Sequence, residues 1–251
     1  MTDSNQPPTI SKQQIDAVIA LFSNNNFQEA IDSASNLIKD CPENSILHNI
    51  TGACYAGLGN QISAVRCYKK AIEISPGYAK AHNNLGGIYF EMEQFEDSIE
   101  SYGCSLEADP DNAEIHYYLA NSLKQNGLSD LAIKSYKKAL EIAPSFIEAL
   151  YGLGILYYDI GKLDEALSYF HKVIEIKPNL AEVHNKAGEC FEVLGRLKDA
   201  LLAFQKAVDI NPVYSEAYNN LGNTFKATGQ LDDAIKSYKK ALDINPEYPA
   251  F

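Results

Sequence analysis

The sequence predicts an all-α protein built from seven stacked pairs of helices. Three observations support this prediction: a strict spacing of prolines, a helical period of apolar residues between them, and small residues at recurring positions. The prolines are 34 residues apart without insertion or deletion: Pro42, Pro76, Pro110, Pro144, Pro178, Pro212 and Pro246. A fixed period of about 20 to 50 residues is typical of repeat proteins, in which each repeat stacks on its neighbours.

The proline series sets the boundaries of the repeats. We predict seven repeats, at residues 11–44, 45–78, 79–112, 113–146, 147–180, 181–214 and 215–248. Residues 1–10 precede them and are predicted to form a flexible segment. Residues 249–251 are predicted to begin an eighth helix that is truncated, because Pro249 stands at the first helical position, where proline is favoured.

Each repeat is predicted to hold two helices, which we call helix A and helix B. In the fifth repeat the apolar face of helix A is Leu150, Leu153, Gly154 and Tyr157, at the i, i+3, i+4, i+7 spacing of a helix. Gly161 follows, where a left-handed residue closes helix A. The apolar face of helix B is Ala166, Phe170, Val173 and Ile174. Pro178 then ends the repeat, because proline cannot continue a helix.

Small residues at two positions indicate where helices A and B cross. Most repeats have glycine at the eighth position: Gly52, Gly86, Gly154, Gly188 and Gly222. Most have alanine at the twentieth position: Ala30, Ala64, Ala132, Ala166, Ala200 and Ala234. Ser98 replaces this alanine in the third repeat. Two backbones can approach closely where neither residue has a bulky side chain.

At these positions the sequence resembles the tetratricopeptide repeat (TPR), whose pattern is W-x2-L-G-x2-Y…A-x3-F…P. The last repeat reads Y-N-N-L-G-N-T-F from Tyr218, followed by Ala234, Tyr238 and Pro246. The resemblance covers residues 11–248. It implies a right-handed superhelical solenoid whose A helices line a concave groove, and a role in binding other proteins. The first repeat departs most from the pattern, so we interpret it as an amino-terminal cap.

Composition excludes several classes of function. The formal net charge is −12 and the sequence pI is about 4.8, so the surface repels nucleic acid and anionic membranes. No apolar run reaches the roughly 18 residues that a transmembrane helix needs. The first residues have neither a basic start nor an apolar core, so no secretory signal is expected. We expect a cytoplasmic protein that binds neither nucleic acid nor membranes.

No catalytic, metal or cofactor site is predicted. The sequence contains no phosphate-binding loop, nucleophile elbow or H-E-x-x-H motif. Four histidines share the fourth position of their repeats and are expected to pack as half-buried side chains: His48, His82, His116 and His184. The five cysteines form no C-x-x-C pair, so we expect free thiols. We therefore predict that the chain is not an enzyme.

The resemblance implies that positions 2, 5, 6, 9 and 12 of each repeat face the groove. Asparagine and tyrosine recur there. The predicted peptide-binding residues are Asn83, Asn84, Tyr117, Asn121, Lys124, Tyr151, Tyr158, Asn185, Lys186, Asn219, Asn220 and Asn223. An amide can both donate to and accept from a peptide backbone, and tyrosine adds flat contact area with a hydroxyl. A merely solvated face would favour lysine and glutamate instead.

Two kinds of TPR groove can be compared with these positions. Arrays that clamp the terminal carboxylate of chaperone tails match at Asn121 and Lys186 only, so that function is not expected. Arrays of the peptide O-GlcNAc transferase type have an asparagine ladder at the sixth position, which Asn84 and Asn220 match. The ladder is interrupted in the other repeats by Ile50, Tyr118, Gly152 and Lys186. The groove thus partly resembles the second kind.

The second position changes along the chain and has two interpretations. The last four repeats have glutamate there: Glu114, Glu148, Glu182 and Glu216. These acids either stabilise the helix N-terminus or form a negative rim that attracts basic segments. Both interpretations remain open at this point.

The leading functional hypothesis is a non-enzymatic module that binds a peptide or protein segment in its groove. One alternative is a substrate-recruiting array that precedes the catalytic domain of a longer bacterial glycosyl-, sulfo- or methyltransferase. Another is a self-assembling scaffold that associates through its carboxy-terminal repeat. The apolar residues there would lack a covering helix, which predicts either a piece of a longer array or self-association through this repeat: Ile235, Tyr238, Leu242 and Ile244.

Overall fold

Fourteen helices in consecutive pairs make up the regular structure of the computed structural model, which describes residues 10–247. No strand occurs in that range, so the all-α prediction is confirmed. No helix within it is long and apolar enough to cross a membrane. Of the predicted flexible segment only Ile10 is described, and it packs against the core cluster that contains Val18 and Ala30. The predicted eighth helix at 249–251 lies outside the described residues.

The chain divides into two compact units between Ile142 and Ala143. The described part of the amino-terminal unit holds the first eight helices: α1 (Lys12–Ser23), α2 (Phe27–Asp40), α3 (Ser45–Gly57), α4 (Gln61–Ile74), α5 (Ala79–Glu91), α6 (Phe95–Ala108), α7 (Ala113–Gln125) and α8 (Ser129–Ile142). The described part of the carboxy-terminal unit holds six: α9 (Ile147–Asp159), α10 (Leu163–Ile176), α11 (Ala181–Val193), α12 (Leu197–Ile210), α13 (Ser215–Ala227) and α14 (Leu231–Ile244). Odd-numbered helices are the predicted A helices.

Glycine and proline end the helices as the sequence predicts. Every B helix stops two residues before a proline of the series. Gly161 has φ +76°, the left-handed conformation expected after helix A of the fifth repeat. The corresponding residues of the first and third repeats, Asn25 and Glu93, adopt φ 60° and 58° without being glycine. Asparagine is tolerated there, whereas glutamate is unusual at positive φ.

The A–B crossings are as close as the small residues predict. A Cβ atom added to Gly154 would lie 2.7 Å from Cε1 of Phe170, a ring with no exposed surface. The other glycines of this position face the aromatic ring of their own B helix in the same way. In the third repeat the buried Ser98 hydroxyl instead donates to the carbonyl oxygen of Gly86 at 2.8 Å.

Within each unit the A helices form the inner layer. Consecutive A helices contact one another (α1, α3, α5 and α7 in the first unit, and α9, α11 and α13 in the second). Consecutive B helices make no such contacts among the described residues. The A layer is therefore the tighter, concave side of each unit. We call the surface formed there by positions 2, 5, 6, 9 and 12 the groove face.

Candidate peptide-binding groove

The recurring histidines have a structural role. Nε2 of each lies 2.8–2.9 Å from a proline carbonyl oxygen six residues earlier, in the pairs His48–Pro42, His82–Pro76, His116–Pro110 and His184–Pro178. Each ring thus fastens the start of a helix A to the preceding turn. Among residues 10–247 no three histidine, cysteine or acidic side chains lie close enough to hold a metal ion.

Two buried cysteines have little nucleophilic character. None of the five cysteines forms a disulfide with another. Burial raises the pKa of Cys54 to about 11 and that of Cys190 to about 12. Because the thiolate is the reactive form, these two thiols are poor nucleophiles at neutral pH.

In the amino-terminal unit two asparagines form a bridge between neighbouring A helices. Nδ2 of Asn84 donates to Oδ1 of Asn49 at 3.0 Å. Asn49 is buried and was not among the predicted site residues, although it stands at position 5 of its repeat. That position alone would have identified it. The bridge fixes both amides on the groove face and leaves part of their hydrogen-bonding capacity unused.

Next to this bridge, a recess of about 390 Å³ opens in the groove face. Helices α4 to α7 contribute its lining, which includes four predicted residues: Asn83, Asn84, Tyr117 and Asn121. The recess exists because Gly87 has no side chain at position 9. A Cβ atom there would meet only the hydroxyl of Tyr102, at 3.6 Å.

Asn83, which lines the recess, has one shielded polar atom without a partner. Oδ1 of Asn83 is inaccessible to solvent and accepts no hydrogen bond within the described residues. Oδ1 of Asn121, in contrast, accepts from the buried hydroxyl of Tyr136. Buried acceptors without a donor are rare in proteins and costly, so a ligand that donates to this amide when it turns towards the recess would remove that cost.

Aromatic rings form one wall of this recess. The rings of Tyr102 and Tyr118 stack with centroids 5.9 Å apart, and Tyr117 packs against Tyr118 at 5.4 Å. Lys124, the remaining predicted residue of this unit, is half-buried in the last turn of α7 and does not line the recess.

In the carboxy-terminal unit the asparagine at position 5 of the sixth repeat, Asn185, forms its hydrogen bonds within the protein. Asn185 is fully buried. Its Nδ2 donates to Oε1 of Glu189 at 2.7 Å and lies 3.5 Å from Oε1 of Glu216, while its Oδ1 accepts from Nδ2 of Asn220 at 3.1 Å. The Asn220–Asn185 bridge of the carboxy-terminal unit joins the same repeat positions as the Asn84–Asn49 bridge of the amino-terminal unit.

A half-buried ion pair completes this network. Nζ of Lys186 lies 2.8 Å from Glu189 and 4.0 Å from Glu216. Burial raises the pKa of Glu189, although Lys186 counteracts the shift. Burial lowers the pKa of Lys186, but the hydrogen bond to Glu189 and the surrounding carboxylates outweigh burial and raise it overall. Nζ of Lys186 is also 6.0 Å from the centroid of the Tyr158 ring.

Two second-position glutamates contact the groove face. Oε1 of Glu182 accepts from the hydroxyl of Tyr151 at 2.6 Å, and Glu216 approaches Lys186 and Asn185 as described. Both also lie in the first turn of their helices. The two interpretations of this position are therefore compatible, because the carboxylates reach the groove from a helix N-terminus.

The remaining predicted residues differ in their contacts. Oδ1 of Asn223 accepts from the Tyr238 hydroxyl at 2.8 Å. Asn219 is half-buried and its side chain makes no hydrogen bond within the described residues. Two acidic residues were not predicted from the sequence. Glu189 stands at position 9, so the repeat pattern indicates it. Glu91 lies outside the five groove positions but lines the recess.

Comparisons with known proteins identify the repeats. A family model for the tetratricopeptide repeat matches residues 147–180 and 215–248. A second model, described as TPR repeat, matches residues 55–92, 86–127, 130–161 and 193–229, which is more than half of the chain. A search of curated proteins gives no significant match.

Solved structures of TPR proteins are similar to this chain. The crystal structure of YrrB, described as a TPR protein with an unusual peptide-binding site, is 26% identical with a TM-score of 0.65, over 73% of this chain and 95% of that one. The MamA protein is 26% identical with a TM-score of 0.62, over 69% and 97%. The C-terminal part of a TPR repeat-containing protein from Cytophaga hutchinsonii shares the fold over 93% and 96%, with a TM-score of 0.79 at 19% identity.

Proposed function

This chain belongs to the tetratricopeptide repeat family, and we propose that it is a non-catalytic module that binds a peptide or an extended protein segment on its groove face. The observation that carries the proposal is that each unit has a groove asparagine whose side chain makes no hydrogen bond within the described residues: Asn83 in the amino-terminal unit and Asn219 in the carboxy-terminal unit. An extended segment has backbone N–H and C=O groups that can pair with such amides.

Preorganisation of the groove supports this proposal. The bridges Asn84–Asn49 and Asn220–Asn185 hold amides of successive A helices in place before any ligand arrives. Binding then loses less side-chain entropy, because the contacting groups are already ordered. The similarity to YrrB, a TPR protein described as having a peptide-binding site, favours a peptide over other ligands. The net charge of −12 favours a protein ligand over nucleic acid.

Selection from a displayed library of random peptides against the full chain tests the proposal. Peptides of about 12 residues, about 40 Å when extended, are long enough to cross several A helices. We expect selected peptides to bind the Asn83→Ala, Asn219→Ala double variant about tenfold more weakly than the wild type, as fluorescence anisotropy would show. Neither side chain has a hydrogen bond to lose, so folding is expected to be unaffected.

The matched control is the Asn36→Ala, Asn179→Ala double variant, which removes two exposed asparagines from outside the groove positions. It is expected to bind the selected peptides as the wild type does. If the groove variant binds as well as the control, or if no peptide is enriched, the proposed function is wrong.

A second candidate function is self-association through α14. Ile235 is 51% exposed, whereas Ile31 and Leu167, at the same position of their repeats, are 4% exposed. Leu231 and Leu242 are exposed beside it. Sedimentation of wild type and Ile235→Lys over a concentration series tests this candidate. Monomers of the wild type at every concentration would reject it.

A further inference from the structure

The recess of the amino-terminal unit has two chemically different ends. Asn83 and Glu91, which both line it, are eight residues apart on α5 and therefore about 12 Å apart along the helix axis. Asn83 offers a neutral acceptor at one end, and Glu91 offers a carboxylate at the other. Whatever fills the recess must therefore be elongated and must differ in character between its two ends.

The acidic end has no cation of its own. Oε2 of Glu91 accepts from the Gln61 amide at 3.3 Å, but no lysine, arginine or histidine within residues 10–247 forms an ion pair with it. Burial, together with this negative charge, raises the pKa of Tyr68 and Tyr102, so both hydroxyls stay neutral and cannot add charge. Glu91 is thus the single charged group that lines the recess.

Between the two ends the lining is largely apolar and aromatic. Gly87, the buried Ile88 and the rings of Phe90, Tyr102 and Tyr118 contribute to it. Aromatic faces attract cations electrostatically. They also pack against the methylene stem of a lysine or arginine whose charged head lies further out.

The amide end is an acceptor as well. Oδ1 of Asn83 is shielded from solvent and lacks a donor. Both ends therefore accept hydrogen bonds, and the Glu91 end also attracts a positive charge. The net charge of the chain, −12, adds a long-range attraction for cationic segments.

We propose that this recess takes one long basic side chain, lysine or arginine, from the bound segment. The charged head lies at Glu91, the methylene stem lies against the aromatic wall, and the Asn83 amide turns into the recess so that its Oδ1 accepts from the backbone N–H of the same residue. The recess volume of about 390 Å³ leaves room for a lysine or arginine side chain. The inference rests on the proposed function and specifies what the groove recognises.

The same displayed library, selected separately against wild type, Glu91→Gln and Glu93→Gln, tests this inference. Glu93 is the matched control, because it is an exposed carboxylate two residues away that does not line the recess. We expect lysine or arginine to be enriched at one peptide position with wild type and Glu93→Gln, and not with Glu91→Gln. A wild-type-selected peptide is expected to bind Glu91→Gln about three- to fivefold more weakly, because Glu91 is exposed and solvent screens its ion pair.

A double-mutant cycle then assigns the contact. Replacing the basic residue of the peptide by norleucine is expected to weaken binding to wild type, but to add nothing to the loss already seen with Glu91→Gln. Additive losses would overturn the inference. So would peptides that depend on Asn83 and Asn219 yet carry no basic residue coupled to Glu91, although the proposed function would then stand.

A single blocked amino acid, used as a probe, distinguishes failure of the cation site from failure of the proposed function. In an NMR titration, N-acetyl-arginine methylamide is expected to shift the amide resonances of Gly87 and Glu91 in wild type and Glu93→Gln, but not in Glu91→Gln. N-acetyl-norleucine methylamide is expected to shift them in none. Equal shifts with both compounds would reject a cation site even if no library peptide were enriched.

Discussion

The third and sixth repeats have asparagine at position 5 of helix A, but the two asparagines differ in burial and hydrogen bonding. In the third repeat Asn83 lines an open recess, and its shielded Oδ1 has no partner within the described residues. In the sixth, Asn185 is fully buried and bonded to Glu189 and Asn220. The difference follows from position 9, where Gly87 leaves space and Glu189 supplies a carboxylate. One residue, four positions on, thus decides whether the amide at position 5 keeps an acceptor without a partner or bonds within the protein.

The largest expected effect comes from glycines that look alike in sequence. A Cβ atom on Gly188 would lie 2.5 Å from Cε1 of the buried Phe204, whereas one on Gly87 would meet only the Tyr102 hydroxyl at 3.6 Å. We expect Gly188→Ala to lower the free energy of unfolding by about 3 kcal/mol through overpacking. Gly87→Ala should change it little, or raise it by up to about 1 kcal/mol through helix propensity. Urea denaturation measures both, and equal values would show that the two sites do not differ in packing.

The next effect concerns the ion pair that fills the groove of the sixth repeat. Lys186→Met leaves the Glu189 carboxylate, 14% exposed, without its cation, and is expected to cost about 2–3 kcal/mol at neutral pH. Lys70→Met, which breaks the exposed pair with Glu73, is the control and should cost less than about 0.5 kcal/mol.

The pH dependence of Lys186→Met has a definite sign. Burial already raises the pKa of Glu189, and removing Lys186 is expected to raise it further. An acid whose pKa is raised by folding binds more protons in the folded state, so stability falls as the pH rises above its unfolded value of about 4.3. The deficit of the variant should therefore shrink as the pH is lowered towards 5. A deficit independent of pH would mean that lost packing, not the unpaired carboxylate, causes it.

The smallest expected effect is a difference in stability between alanine variants of the two asparagines. Asn185→Ala loses a hydrogen bond to Glu189 and one from Asn220, and is expected to cost about 1–2 kcal/mol. Asn83→Ala loses no hydrogen bond and should stay within about 0.5 kcal/mol of the wild type in thermal unfolding. An equal loss in both variants would indicate that Asn83 has a structural partner after all.

The sequence by itself determined the repeat architecture. Prolines 34 residues apart, Gly161 after helix A and Gly154 at the crossing each act through local backbone geometry or close contact, which the residue type reveals. The groove positions came from the resemblance to the tetratricopeptide repeat, and positions 5, 6 and 9 share one face because a helix brings together residues three and four apart. The asparagine bridges were not foreseen as pairs, since each joins residues 35 positions apart in sequence.

Only the tertiary structure decided which groove residues keep unused hydrogen-bonding capacity. Asn83, Asn185 and Asn219 are equivalent in the repeat, yet only Asn185 has carboxylates from its own and the next repeat within reach. Glu91 became part of the recess because Gly87 leaves room and because α4 and α6 bring Tyr68 and Tyr102 beneath it. Hydrogen bonding and burial depend on distances between side chains of different helices, and a repeat pattern fixes positions along the chain but not those distances.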